Sequence, residues 1–149
     1  MSYLAHKIID HLFQGGYPPP GEGLKNNGVD VLVLCANGLQ DASLFPGLEV
    51  ILAPGDDDPR PHRLARFIER WKEAGHLVAE RVKAGKNVLV TCAAGQNRSG
   101  IVTALAMREL TGLKGSAIVE HVRKARPLAL NNPGFVDYIE KSFPERAID

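Results

Sequence analysis

One stretch of the chain has residue types and a spacing that suit the binding and attack of a phosphate. Cys92 and Arg98 stand at the two ends of a seven-residue segment, Cys-Ala-Ala-Gly-Gln-Asn-Arg, and Ser99 follows it. An arginine can bind two phosphate oxygens at once through its planar guanidinium group. In a positively charged setting a cysteine ionises readily, and the thiolate is the form that attacks phosphorus. The segment predicts phosphoryl chemistry with Cys92 as nucleophile, Arg98 as phosphate ligand and Ser99 as a donor to the sulfur.

The neighbouring residues predict a strand, a loop and a helix, in that order. An apolar run at 88–90 precedes Cys92, and a helical run at 101–107 follows Ser99. The backbone N–H groups of such a loop and the N-terminus of its helix point into one concavity, which is a ready anion site. The loop residues expected to hold the phosphate, besides Arg98, are Ala93, Ala94, Gly95, Gln96 and Asn97.

Strand and helix patterns alternate along the rest of the chain. The predicted strands are 8–9 with 12–13 (a pair at a sheet edge), 29–35, 50–53 and 87–91, and the predicted helices are 22–27, 61–84, 99–110, 115–124 and 133–141, with Gly75 as a candidate interruption of the longest. This order predicts an α/β fold, with a mostly parallel central sheet flanked by helices on both faces. The Cys-x5-Arg loop then joins the central strand to a helix, at the carboxyl ends of the strands, where ligands bind in such folds.

Length and composition narrow the classes of function. The 149 residues predict a single domain over 1–149, and the net charge of +1 gives no electrostatic basis for binding nucleic acid or an anionic membrane. The two cysteines form no disulfide framework, and no secretory leader or membrane span is recognisable. We therefore expect a cytoplasmic monomer. Because the five histidines lack metal-ligand spacing, we expect no metal and no cofactor.

The chain resembles the small dual-specificity phosphatases of the protein tyrosine phosphatase superfamily. Residues 92–100 resemble the family's Cys-x5-Arg-Ser/Thr loop, and weaker resemblances at 9–16, 26–33, 123–126 and 132–135 follow in the family's order. The resemblance implies a Cys-dependent phosphomonoester phosphatase that acts through a phosphocysteine intermediate. It also implies a phosphorylated protein as substrate, with phosphotyrosine and phosphoserine or phosphothreonine as targets, or a small phosphomonoester.

Such a reaction needs a carboxyl group that protonates the leaving oxygen and then activates water. The acidic cluster ahead of the loop is Asp56, Asp57 and Asp58, directly after the predicted strand 50–53. The family's motif for the general acid, hydrophobic-Pro-x-x-Asp, selects Asp57 when it is placed on Pro54. Asp56 and Asp58 stay open as alternatives, and an acidic run also suits the start of a helix.

Two further residues bear on the reactivity of Cys92. Where the family generally has a histidine before the cysteine, this chain has Thr91, whose hydroxyl can replace the histidine's hydrogen bond. We therefore expect slower turnover or a higher working pH. Cys35 resembles the backdoor cysteine of the phosphoinositide 3-phosphatase tumour suppressor, which implies a reversible Cys35–Cys92 disulfide. The alternative for Cys35 is a buried strand thiol.

Several other functions stay open at this point. Thr91 is the one feature that favours a phosphate-binding pseudophosphatase. A phosphoinositide phosphatase is the second alternative, although the residues inside the loop carry no charge where enzymes of highly phosphorylated inositol lipids often have lysines. The near-neutral net charge disfavours an RNA 5′-phosphatase. The Arg98-Ser99 pair fits a phosphatase better than a rhodanese-like sulfurtransferase.

Overall fold

A computed structural model describes residues 3–146; Met1, Ser2 and 147–149, at the ends of the predicted domain, lie outside the described residues. The elements within that range are β1 (Ala5–Ile9), β2 (Leu12–Gly15), α1 (Gly23–Asn26), β3 (Val31–Leu34), a 3-10 turn (Ala42–Leu44), β4 (Glu49–Leu52), α2 (Pro61–Leu64), α3 (Ile68–Lys83), β5 (Val88–Thr91), α4 (Arg98–Thr111), α5 (Gly115–Ala125) and α6 (Pro133–Ser142). The longest helix, α3, has 16 residues. Between residues 3 and 146, no helix has the length and apolar character that crossing a bilayer requires.

The five strands form one sheet in the order β1-β2-β5-β3-β4. The β1–β2 pair is antiparallel, and every other neighbouring pair is parallel. Thr91 at the end of β5 lies opposite Gly15 of β2 and Leu34 of β3. The carboxyl ends of three strands therefore meet at one edge of the sheet, with the central strand β5 in the middle, as the sequence predicts.

Both faces of the sheet are buried. Along β5, Val88 and Val90 face the main core, which α3, α4, α5 and α6 complete, while Leu89 belongs to a smaller cluster on the other face. That second face is covered by Leu24 of α1 and by Phe45 after the 3-10 turn. The prediction of helices on both faces is correct, but the two helical layers are very unequal.

The predicted helix 61–84 is two helices, and this expectation was wrong in one detail. Between α2 and α3 the α-helical hydrogen bonds give way to a tighter turn, in which Phe67 N donates to Leu64 O. No glycine or proline lies at this break, so the local sequence does not signal it. Gly75, the candidate interruption, continues α3. A side chain there would bring its Cβ to 2.7 Å from Leu105 Cβ, so the glycine lets α3 and α4 pack closely.

Candidate active site

Cys92 directly follows β5, and Arg98 is the first residue of α4. The loop between them therefore lies at the carboxyl edge of the sheet, in front of a helix N-terminus. Cys92 is 3% exposed, and its Sγ lies 3.2 Å from the Oγ of the buried Ser99. That distance is within hydrogen-bonding range when sulfur is one partner. The structure thus places the predicted nucleophile beside the predicted hydroxyl donor.

Four consecutive carbonyl groups of this loop, those of residues 93–96, accept hydrogen bonds from the surrounding scaffold. The donors are Tyr17 N to Ala93 O (3.3 Å), Arg126 Nη2 to Ala94 O (3.1 Å), Gln14 Nε2 and Arg126 Nε to Gly95 O (2.9 and 2.7 Å), and Leu130 N to Gln96 O (3.1 Å). In a trans peptide unit the carbonyl and the following N–H point in opposite directions, and the described residues contain no cis peptide bond. The N–H groups of residues 94–97 therefore point away from the scaffold, into the loop. Such an arrangement of N–H groups is suited to binding an anion.

The loop lies directly against β2, and Gly95 makes that approach possible. Its φ is +69°, in the left-handed region that favours glycine. A Cβ on Gly95 would come within 2.4 Å of the carbonyl carbon of Gly15. No other residue type fits this position without moving the loop.

Two residues that hold this loop carry little signal in the sequence. Gln14 is fully buried in β2, and its amide binds Gly95 O. In the sequence, the one indication of this role is a polar residue directly after the apolar predicted strand 12–13. Arg126 lies just after the predicted helix 115–124, and the sequence alone gave it no role at this loop. It does end α5, and its guanidinium group also binds the carbonyl groups of Ala94 and Gly95.

The Arg98 side chain is partly buried, and one of its buried donor atoms has no acceptor among the described residues. Its Nη1 donates to Gly55 O at 3.2 Å, so it also contacts the segment that holds the acidic cluster. Its Nε is buried and has no acceptor within the described part of the chain. A buried donor without an acceptor costs free energy, and a phosphate oxygen would provide the missing acceptor.

Two members of the acidic cluster are paired with arginines. Asp56 accepts from Asn37 Nδ2 at 2.7 Å and forms an ion pair with Arg63, and these contacts lower the pKa of Asp56. Asp58 binds Arg60 through both of its oxygens, and the Arg60 hydrogen bonds hold the pKa of Asp58 well below its usual range. Both carboxyl groups are therefore held as anions, which disfavours them as proton donors.

Asp57 has different partners from its neighbours. Its Oδ2 accepts from Asn97 Nδ2 at 3.0 Å, and its Oδ1 accepts from Asn132 Nδ2 at 2.7 Å. Among residues 3–146, no cationic side chain pairs with it. Since Asn97 belongs to the loop 92–98, Asp57 is the aspartate that is attached directly to that loop.

Thr91 does not take the place of the family's histidine. Its hydroxyl donates to Val33 O of the neighbouring strand β3, at 2.8 Å. The hydrogen that this hydroxyl could give in place of the histidine's is therefore used within the sheet. The carbonyl oxygen of Val33 accepts the hydrogen bond of this hydroxyl instead.

Cys35 lies next to Cys92 across the sheet. Leu34 and Thr91 are paired in register, and Cys35 N donates to Thr91 O at 2.8 Å, so the two cysteines are the next residues on adjacent parallel strands. Both are free thiols, and both belong to the main core. Burial, and secondarily the nearby Cys92, raise the pKa of the Cys35 thiol well above its usual range.

Comparisons with known proteins agree with this geometry. Human dual specificity phosphatase 28 is 30% identical to the chain over 139 residues, which are 91% of the chain and 75% of the relative. The crystal structure of human DUSP28 gives a TM-score of 0.75 at 27% identity and covers 93% of this chain and 96% of that one. A mouse protein assigned to the dual specificity phosphatases, crystallised with zinc tungstate, gives a TM-score of 0.77 at 25% identity and covers 93% of this chain and 86% of that one. No family model matches the chain.

The chain belongs to the dual-specificity phosphatases of the protein tyrosine phosphatase superfamily. It is a Cys-dependent protein phosphatase, and so a phosphoric monoester hydrolase. The prediction from the Cys-x5-Arg loop is confirmed at the level of the family, and the prediction of a mostly parallel α/β sheet is confirmed by the strand pairings.

Proposed function

We propose that Cys92 carries the phosphoryl group and that the chain hydrolyses phosphomonoesters on proteins. The observation that carries this assignment is the arrangement of the loop. Four of its carbonyl groups are bound from outside, so the N–H groups of residues 94–97 point into the loop that begins at Cys92. The unpaired Nε of Arg98 adds a charged donor to the same site. The tungstate in the mouse relative supports the assignment, since tungstate is an oxyanion.

The reaction has two steps. In the first, the Cys92 thiolate attacks phosphorus, an S–P bond forms, and the P–O bond to the leaving group breaks while Asp57 gives that oxygen a proton. In the second, Asp57 takes a proton from water, the water oxygen bonds to phosphorus, and the S–P bond breaks to regenerate the thiolate. Arg98 and the loop N–H groups stabilise the equatorial oxygens in both steps. Ser99 donates to the sulfur when it leaves.

Asp57 is proposed as the general acid on the contrast within the acidic cluster. Asp56 and Asp58 are each paired with an arginine, Arg63 and Arg60 respectively, and a cationic partner favours the carboxylate form that cannot donate a proton. Asp57 is free of arginines among the described residues and is bonded to the loop that would hold the substrate. Its position supports a role at the leaving oxygen.

The proposed substrates are phosphotyrosine and phosphoserine or phosphothreonine in proteins, with small phosphomonoesters as test substrates. The family assignment supports protein targets. The uncharged loop interior, which includes Gln96 and Asn97, supports a substrate with a single phosphate over a highly phosphorylated inositol lipid. We propose that the chain acts as a monomer. Because a thiolate nucleophile needs reducing conditions, we propose the cytoplasm as its compartment.

A Cys35–Cys92 disulfide is proposed as the reversible oxidised form. Adjacent parallel strands lie about 4.8 Å apart, which suits the Cα separation of a disulfide. Peroxide would first convert the Cys92 thiolate into a sulfenic acid, and the Cys35 sulfur would then displace its oxygen as water. The raised pKa of Cys35 keeps it a thiol at neutral pH, so Cys92 is the residue that peroxide oxidises first.

Hydrolysis of a small aryl phosphate between about pH 5 and pH 8 tests the assignment. The wild type is compared with Cys92→Ser and Asp57→Asn. We expect no turnover in Cys92→Ser, and a loss of about a hundredfold in Asp57→Asn. Full activity in Cys92→Ser would refute the assignment of the nucleophile. Equal activity in wild type and Asp57→Asn would refute that of the general acid.

A further inference from the structure

Two large apolar side chains are exposed on the segments that hold the phosphate loop. Tyr17 comes shortly after β2 and is 50% exposed, and Leu128 comes shortly after α5 and is 71% exposed. The two segments are far apart in the chain, but both bind carbonyl groups of residues 93–96. Exposed apolar side chains therefore lie on both segments that border the proposed phosphate site.

Leu128 has a backbone conformation that does not suit a leucine. Ala129 N donates to Arg126 O at 3.1 Å, which closes a four-residue turn with Pro127 and Leu128 at its centre. The φ of Leu128 is +73°, and a proline excludes a positive φ at the position before it, so the turn is of type II. Such a turn favours glycine or asparagine at this position, because other residue types lose free energy in the left-handed region. The leucine therefore destabilises the turn that carries it.

The exposure of Leu128 leaves little packing to offset this cost, since an exposed side chain buries little apolar surface. The turn is held in place by other residues instead. Arg126 Nε binds Gly95 O at 2.7 Å, and Leu130 N donates to Gln96 O at 3.1 Å, so both ends of the turn are attached to the phosphate loop. A strained residue that its surroundings hold in position is typical of a functional site.

The Tyr17 ring is placed by contacts at both ends of the residue. Its backbone N–H binds Ala93 O at 3.3 Å, at the start of the phosphate loop. The phenol oxygen lies close to Gly38, where a Cβ would come to 3.2 Å from it. Gly38 follows Asn37, which binds Asp56 in the acidic cluster. The ring therefore extends from the phosphate loop toward the segment beside the acidic cluster.

We propose that Tyr17 and Leu128 form an apolar rim that binds the apolar residues on either side of the phosphorylated residue in a protein substrate. The proposal rests on the proposed function, and it narrows the substrates to phosphorylation sites with apolar neighbours. When the phosphate lies in the loop 92–98, the rest of the substrate chain passes the two segments that border this loop. Apolar side chains of the substrate then cover apolar surface that is otherwise exposed to water. The strained Leu128 thus contributes to substrate binding instead of to folding.

Four single variants test the apolar rim, and thermal unfolding of each checks that the fold is retained. Leu128→Asn removes the apolar side chain and suits the turn, because asparagine tolerates a positive φ, whereas Leu128→Met keeps an apolar side chain there. Tyr17→Ser removes the ring and leaves the N–H that binds Ala93 O. Leu113→Ser is the matched control, because Leu113 is 41% exposed and lies beyond the end of α4 that is opposite the phosphate loop.

The assay compares two phosphotyrosine peptides of equal length and charge, one with leucine on both sides of the phosphotyrosine and one with glutamine. A small aryl phosphate, which has no neighbouring residues, is the reference substrate. We expect kcat/KM of the wild type and of Leu113→Ser to be about tenfold higher on the leucine peptide. Leu128→Asn and Tyr17→Ser should each lower this preference to about threefold, and the double variant should abolish it. Leu128→Met should keep the preference of the wild type.

Equal kcat/KM of the wild type on the two peptides would overturn the apolar rim, and so would a preference that the double variant retains. A loss on the aryl phosphate as large as that on the leucine peptide would also overturn it, because the damage would then lie in the phosphate loop itself. If the wild type hydrolyses none of the three substrates, the proposed function fails, and peptide binding to Cys92→Ser tests the rim separately. The leucine peptide should bind this variant about tenfold more tightly than the glutamine peptide, and equal binding would overturn the rim.

Discussion

Removing the hydroxyl of Ser99 should slow the breakdown of the phosphocysteine more than its formation. Ser99 Oγ lies 3.2 Å from Cys92 Sγ in a buried position. In the second step the sulfur leaves as a thiolate, and the hydroxyl stabilises the developing charge. A hydrogen bond to a charged group contributes about 1.5–3 kcal/mol, and about 1.4 kcal/mol corresponds to a factor of ten. Ser99→Ala should therefore lower kcat about 10- to 150-fold.

Rapid mixing with an aryl phosphate measures this effect. We expect a burst of phenol close to one equivalent per active site, followed by slow turnover, and an enzyme mass increased by about 80 Da for the trapped phosphoryl group. The matched control is Thr103→Val, which removes a buried hydroxyl one turn further along α4. Thr103 Oγ1 has no hydrogen-bond partner within the described range. An unchanged kcat in Ser99→Ala, or an equal loss in Thr103→Val, would refute the reasoning.

Three other predictions concern oxidation and stability. Mild peroxide should lower the intact mass of the wild type by about 2 Da, and it should not lower that of Cys35→Ser. If both proteins instead keep a sulfenic acid as the lasting product, the disulfide is contradicted. Leu128→Gly should raise the free energy of unfolding by about 1 kcal/mol in denaturant titrations, because Leu128 is 71% exposed and has a φ of +73°; a loss of stability would show that its side chain packs usefully. Asn37, and then Arg63, lower the pKa of Asp56 in the folded chain. The Asp56 carboxylate therefore stabilises the folded state fully above about pH 4, and this contribution is lost as the pH falls below that. Arg63→Gln should make the stability fall less steeply in that range, and an unchanged slope would count against the ion pair.

Local patterns were enough to predict the framework of the site. The apolar run of β5, the small residues of the loop and the helical run of α4 are adjacent in sequence, so the phosphate loop could be recognised from residues 88–107 alone. The continuous apolar patterns of β3 and β5 also indicated strands covered on both faces, as they are.

Contacts between distant segments could not be predicted in this way. The role of Gln14 depends on the register of β2 with β5, and the hydroxyl of Thr91 binds a carbonyl of β3 that only the sheet brings near. The contrast between Asp57 and its neighbours depends on Asn132, 75 residues away. The break after α2 has no glycine or proline that would mark it in the sequence.

The loop carbonyls are held by residues that lie far apart in the chain, and this has a thermodynamic consequence. Gln14 is 81 residues from Gly95, and Arg126 is 31 residues from it on the other side. The loop therefore has this shape only when β2, residues 92–98 and the end of α5 have come together in the fold. An anion that binds only the folded chain adds about 1.4 kcal/mol of stability at ten times its Kd. The melting temperature should accordingly rise with phosphate concentration, so that occupancy of the site can be followed by thermal unfolding even in a variant without turnover.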